Sequence, residues 1–352
     1  MIPIFDGHND VLLRLMKKSE PDGGAGSFLT GDGAGHLDLP RARAGGFVGG
    51  LFAVFVPPRE PDADRDEQMR KAEYDVPLPQ PAELTQAQVV AFEMISLLFR
   101  IVRRSEGSVH LCRTVGDIRS SIDAGALATV LHLEGAEPID ADFRMLEILY
   151  EAGLRSLGPV WSRPNIFGHG VPFRFPSSPD TGPGLTDAGR ALVKACNELG
   201  IVIDLSHLNE KGFWDVAELS TKPLVATHSN VHALCRHSRN LTDKQLAAIR
   251  ESGGVVGLNF ATCFLRADGR MNADTPLQDM VRHTDYLIEH LGVDGVGLGS
   301  DFDGAIVPAD LGSVEGLPRL VEAYRAAGYD DATLRKLCTE NWLSVLDRTW
   351  GG

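Results

Sequence analysis

Cysteine is scarce in this chain, and what there is forms no pattern. Cys112, Cys196, Cys235, Cys263 and Cys338 are odd in number, scattered and without a CxxC pair. That spacing fits reduced thiols in a cytoplasm, and nothing near any of them supports a nucleophile. Long apolar runs are missing too. No stretch approaches ~18 uninterrupted apolar residues, so no membrane span is expected. The opening MIPIFDGHND has no basic or apolar leader segment, so no signal peptide is expected. The closing LDRTWGG is not a lipidation motif. Positive charge is in deficit: 34 Lys and Arg face 48 Asp and Glu, a formal net charge of −14. Clustered Lys and Arg are what a phosphate-backbone binder needs, so nucleic acid is excluded as a general partner. There is no internal repeat and no low-complexity tract.

What is present reads as a large α/β protein. The 352 residues are 43% hydrophobic and 23% charged, ordinary globular usage rather than that of a disordered chain. Eight short apolar, β-branched runs lie at 2–6, 47–56, 128–133, 155–160, 201–206, 223–227, 254–260 and 295–300. Runs of this kind are what buried parallel strands look like. Helical patterns fall at 85–104, 142–152, 186–199, 209–219, 242–251, 275–291 and 331–346. One of them opens on Thr186 and Asp187 and ends at Gly200. Eight strands alternating with helices predict one (β/α)8 TIM barrel over 1–352. Two segments interrupt the alternation. One is a Pro- and charge-rich insertion at 57–83, extending with the following helix to about 105. The other is 163–184, with five Pro and four Gly in 22 residues, which reads as an active-site loop.

The ends of the strands carry the chemistry. Strand one ends in DGHND, giving His8 and Asp10; strand three in HLEGAE, giving Glu134. Strand five ends in DLSH, giving His207; strand six in ATHSN, giving His228; strand eight in GSDFDG, giving Asp301 and Asp303. A barrel places its site at these carboxyl ends, so the residues converge. Two positions apart on extended backbone, His8 and Asp10 point the same way and offer N and O to one ion. His207 and His228, on strands ~4.8 Å apart, can share a second. The Glu134 carboxylate can bridge two ions ~3.5–4 Å apart. An N/O donor set without thiolate suits Zn²⁺ and admits Mn²⁺, Co²⁺ or Fe²⁺. A single strand-end histidine is more often structural, and His36, His110, His232, His237, His283 and His290 read that way. His132, two before Glu134, reads as a supporting histidine one layer deeper. Asp6 and Asp303 read either as carboxylates orienting a ligand imidazole or as turn caps.

DGHND, LEGAE, DLSH, ATHSN, RNLTD and GSDFDG, in this order and spacing, resemble the membrane dipeptidase (renal dipeptidase) family of zinc peptidases in the amidohydrolase superfamily. The resemblance runs from residue 4 to about 345. It implies a (β/α)8 barrel with two zinc ions: His8 and Asp10 on the first, His207 and His228 on the second, Glu134 bridging. It implies Asp301 as the proton-transfer residue and Arg239 as the group holding the substrate carboxylate. The family's segment after the fourth strand usually has a substrate-contacting histidine. This chain has Trp161 there, in GPVWSRPN, and His169 of FGHG is the candidate substitute. The activity implied is hydrolysis of dipeptides, with tolerance of a D-residue on the carboxyl side (L-Ala-D-Ala-like). The alternatives are N-acyl-amino-acid deacylation on the same site and a barrel that binds without turnover. The family is often dimeric, and pairing through the 57–105 insertion is the matching expectation.

Overall fold

The computed structural model describes residues 1–18, 20, 22–60 and 64–351. Residues 61–63 of the 57–83 insertion, and Gly352 of the closing LDRTWGG, lie outside the described residues. Eight parallel strands form the barrel: β1 (Ile4–Asn9), β2 (Phe47–Phe55), β3 (Leu127–Glu134), β4 (Leu154–Gly158), β5 (Val202–Ile203), β6 (Val225–Ala226), β7 (Val255–Asn259) and β8 (Val296–Gly299). Hydrogen bonding runs β5-β4-β3-β2-β1-β8-β7-β6, all parallel. The seam between β5 and β6 is closed by a parallel bridge, Asp204 to Val225, where Leu205 N–H donates to Val225 O at 2.8 Å. Each barrel strand lies where an apolar run was expected.

Burial on both faces explains those runs. All eight residues of β3 are buried. Ala128 and Val130 share an apolar cluster with Phe5, Leu51, Val202 and Trp342, while Leu131 and Leu133 pack in a second cluster with the surrounding helices. Counting by twos along β3, Ala128, Val130, His132 and Glu134 therefore climb one face toward the carboxyl end. Trp342, from the helix Asn341–Trp350, enters at the opposite end and donates its indole N–H to Leu298 O at 2.9 Å. Glycine makes the room: a Cβ on Gly297 would stand 2.5 Å from Trp342 Nε1.

The expected helices are present, and the 186–199 element is capped as read. Thr186 accepts from Gly189 N–H, and Gly200 closes it in the left-handed region. Short helices at Val11–Met16, Ala25–Thr30 and Leu39–Gly45 were not expected. The first of them changes one detail: β1 ends at Asn9, and Asp10 has left extended geometry (φ −108°, ψ 25°) to cap that helix. By length and composition the helix Leu84–Arg104 is apolar enough to cross a membrane, although no uninterrupted run marks it. In the fold it lies along β2 and the 11–16 and 25–30 helices, burying Ala91, Met94 and Leu98.

The two interrupting segments meet. Tyr74–Asp75 pairs antiparallel with Arg174–Phe175, and Val76 N–H donates to Phe173 O at 2.9 Å. They form one roof over the carboxyl ends of the strands.

Candidate active site

Under that roof, β1 supplies His8, the turn after it Asp10, and the last residue of β3 Glu134. His207 and His228 follow the ladders of β5 and β6, and Asp301 follows β8. Glu134 stands at the centre. Its Oε1 lies 3.7 Å from His8 Nε2, 3.0 Å from His207 Nε2 and 3.5 Å from His228 Nε2. His8 Nε2 is 3.3 Å from Asp10 Oδ2, and the Nε2 atoms of His207 and His228 are 3.1 Å apart. Two ligand atoms on one tetrahedral ion, each ~2.1 Å from it, stand ~3.4 Å apart. The spacing therefore fits a metal site. His8, Glu134 and His228 offer atoms all within 4.8 Å of one another, as do His8, Asp10 and Asp301.

Burial sets the electrostatics. The carboxylates of this cluster have almost no water. Burial pushes the Glu134 carboxyl well above the ordinary range, and the charges of Asp10 and Asp301 add to it. Asp301 is raised by burial and by Asp10. Burial works against a charge on His8, but the carboxylates of Glu134 and Asp10 outweigh it and push its pKa up to about 10. Burial and the cations at Arg239 and His8 push His207 and His228 well below the usual imidazole value. The cluster thus sets two lone-pair donors, His207 and His228, beside carboxylates whose charge is costly to bury here and which divalent cations would balance.

Backbone strain marks the same place. His207 (φ 69°) and Asp301 (φ 59°) both sit in the left-handed region, a conformation costing ~1–3 kcal/mol for such residues. Their neighbours hold them there: Val171 N–H donates to His207 O at 2.8 Å, and Asp301 N–H to His8 O at 3.0 Å.

A cavity of about 600 Å³ opens onto Glu134, His207, Asp10 and Asp301. Its walls are largely apolar, with Phe55, Trp161, Phe173 and Phe264 among them, and Lys17, Arg59, Arg65 and Asp66 also line it. Trp161 packs on Phe55 (4.9 Å) and Phe173 (5.7 Å), with its ring 5.8 Å from that of His207. Arg239 is buried behind this wall rather than lining it. Its Nη2 donates to His228 O at 3.0 Å and Nη1 to Ser229 Oγ at 3.3 Å, while Nε has no partner among the described residues. His169 is not brought to the cluster. Its Nδ1 faces Gly184 O at 3.3 Å, inside the loop that carries it, and it does not line the cavity.

His132 is buried below the cluster, 5.3 Å edge-on to His8, with Nδ1 against Ser156 Oγ. Asp6 and Asp303 touch no ligand imidazole. Asp6 accepts from Ser300 N–H and Oγ–H at 2.7 Å and so holds the turn before Asp301. Asp303 accepts from His36 N–H at 2.6 Å and pairs with Arg14 at 3.1 Å. Sequence reasoning did not single out Ser162, whose Oγ meets His207 Nδ1 at 2.8 Å, Thr227, whose Oγ1 meets His228 Nδ1 at 2.8 Å, or Asn259, whose Nδ2 donates to Asp301 Oδ2 at 2.9 Å. Adjacency within ATHSN was the available signal for Thr227.

Comparison with known proteins decides the family. The model of the membrane dipeptidase family, peptidase family M19, matches residues 1–350. The chain belongs to peptidase family M19. This M19 protein is a metallo-dipeptidase, a hydrolase of peptide bonds. It resembles a metallo peptidase from Rhodobacter sphaeroides crystallised with a phosphinate mimic of the dipeptide L-Ala-D-Ala. Identity is 55%, the TM-score is 0.96, and 99% of each chain is covered. A second solved structure, a dipeptidase described as an M19 metallo peptidase, is 55% identical with a TM-score of 0.97, covering 100% of this chain and 99% of that one. An uncharacterised protein of Klebsiella pneumoniae, from the region 5′ of pqqA, is 54% identical over 261 residues, 74% of this chain and 96% of its own length.

Proposed function

We propose that this M19 metallo-dipeptidase works with two divalent ions, zinc in the first instance, and accepts dipeptides whose carboxyl-terminal residue is D. The central position of Glu134 carries the reading. One carboxylate oxygen stands within 3.7 Å of three imidazole nitrogens. On this reading His8 and Asp10 would hold one ion and His207 and His228 the other, with Glu134 shared between them. Bound there, the ions would supply Lewis acidity to the scissile carbonyl and acidify a water.

The residues of the chain do the rest. Asp301 accepts the proton of the attacking water and delivers it to the leaving amine. Its raised pKa and its hydrogen bond from Asn259 suit a group that must take up and release a proton. Arg239 is the family-implied holder of the substrate carboxylate: Ser229 and His228 leave it free guanidinium donors, although here they stand behind the cavity wall. Trp161 serves as an apolar wall of the substrate site. The D-residue preference draws support from the L-Ala-D-Ala mimic in the R. sphaeroides relative. A panel of L-X-D-Y dipeptides, L-X-L-Y dipeptides and N-acyl amino acids tests the reading by kcat/KM. The L-X-D-Y set should lead. Faster turnover of N-acyl amino acids would move the protein to deacylation, and equal rates for the D and L sets would remove the stereochemical part.

A further inference from the structure

Asp204 lies just past β5 and is 1% exposed. Its nearest basic side-chain nitrogens, His132 Nε2 and His228 Nδ1, are 3.8 and 3.9 Å away, beyond hydrogen-bond reach. It is instead a triple acceptor. Oδ1 takes the backbone N–H groups of Ser206 (3.0 Å) and Thr227 (2.8 Å), and Oδ2 takes the Thr227 hydroxyl at 2.6 Å.

A hydroxyl has one proton. Thr227 commits its proton to Asp204, so toward His228 Nδ1, 2.8 Å away, its oxygen can only accept. The ring proton of His228 is therefore on Nδ1. Nε2, which faces Glu134 and His207, presents a lone pair. His207 and His8 have no equivalent arrangement. Among the described residues, His207 Nδ1 faces Ser162 Oγ, which meets no carboxylate, and His8 Nδ1 has no partner.

We propose that Asp204 is a positioning residue: through the Thr227 hydroxyl it fixes His228 as the Nδ1–H tautomer and so keeps Nε2 open to a divalent ion. The metal half of this statement rests on the reading of the cluster as a metal site. The tautomer half does not. Asp204 also ties β5 to β6 at the barrel seam, so a test must separate orientation from scaffold.

Asp204→Asn does so. The amide oxygen can still accept the two backbone N–H groups, which preserves the seam. The amide N–H₂ in place of Oδ2 donates to Thr227, which then turns its own proton toward His228 Nδ1. The ring proton moves to Nε2 and blocks the lone pair. Thr227→Val removes the relay, and Thr227→Ser keeps it.

The measurement is ¹⁵N NMR of the imidazoles in metal-free protein, with His228 assigned from His228→Ala, paired with Zn²⁺ affinity by chelator competition. Wild type and Thr227→Ser should show Nδ1–H at His228 and equal affinity. Asp204→Asn should show Nε2–H. Asp204→Asn and Thr227→Val should bind Zn²⁺ about 10–100-fold more weakly, the usual effect of losing such a partner. If Asp204→Asn does not fold, the Thr227→Val and Thr227→Ser pair decides. An unchanged His228 tautomer in Asp204→Asn, or wild-type Zn²⁺ affinity in Thr227→Val, overturns the proposal. A wild type that binds no Zn²⁺ defeats the metal reading, and the spectrum still decides the relay.

Discussion

Asp301→Asn separates proton transfer from shape. The substitution keeps the size of the side chain, and the new amide oxygen can still accept from Asn259 Nδ2, which now donates to Asp301 Oδ2 at 2.9 Å. What disappears is the site for a proton. General acid–base assistance is worth ~10²–10⁴ in rate, or ~2.7–5.5 kcal/mol at 1.36 kcal/mol per decade. Steady-state hydrolysis of L-Ala-D-Ala should therefore show kcat down by about two to four decades, with KM changed far less. Stability should move the other way. Burial and Asp10 raise the folded-state pKa of Asp301. The folded metal-free protein thus holds this proton more tightly than the unfolded chain does. The stability gained from it is full below the unfolded carboxylate value and is lost as pH rises through the raised one. Removing the charge should leave the metal-free variant melting no lower than wild type at pH 8, and less advantaged at pH 4. Activity within about fivefold of wild type, well short of the ~10² minimum for lost acid–base assistance, would refute the proton-transfer assignment. A large fall in the metal-free melting temperature at pH 8 would refute the electrostatic reasoning.

Four further outcomes are expected. Arg163, fully buried, pairs with buried Glu137 at 3.0 Å and donates to Val56 O at 2.9 Å. Arg163→Met should lower unfolding stability in denaturant by ~3–5 kcal/mol, because it strands a buried carboxylate, and adding Glu137→Gln should recover part of that loss. His169→Ala should leave kcat and KM within about twofold, since its imidazole faces Gly184 outside the cavity; Trp161→Ala, which opens the cavity wall, should raise KM by roughly tenfold, ~1.4 kcal/mol. Excess chelator should lower the melting temperature and Zn²⁺ should restore it, since an ion held at 100 times its Kd adds ~2.7 kcal/mol; an unchanged melting curve would count against a tightly held ion.

The barrel was legible because strands buried on both faces leave continuous apolar runs, and all eight runs became strands. The side-chain cluster was legible because its members sit at or just past the places where such runs stop, from His8 to Asp301. Other features depend on contacts that no local pattern encodes. The 11–16 helix has six residues, too few for a period to show, and it moved Asp10 from a strand to a turn. Ser162 reaches His207 across 45 positions, and Asn259 reaches Asp301 across 42. In the sequence these are ordinary polar residues. His169 is a different case. Its place in a Gly- and Pro-rich loop suggested a swing into the site, but the loop's own backbone takes its imidazole. The roof joining 74–76 to 173–175 was invisible because each segment was read alone.

On the proposed function, hydrolysis depends on two ions held around Glu134. The most direct test is titration of metal-free protein with Zn²⁺, following bound metal and L-Ala-D-Ala hydrolysis in the same samples. Binding should saturate at two ions per chain, with activity appearing as the second is bound. Full activity at one ion per chain, or with none, would contradict it.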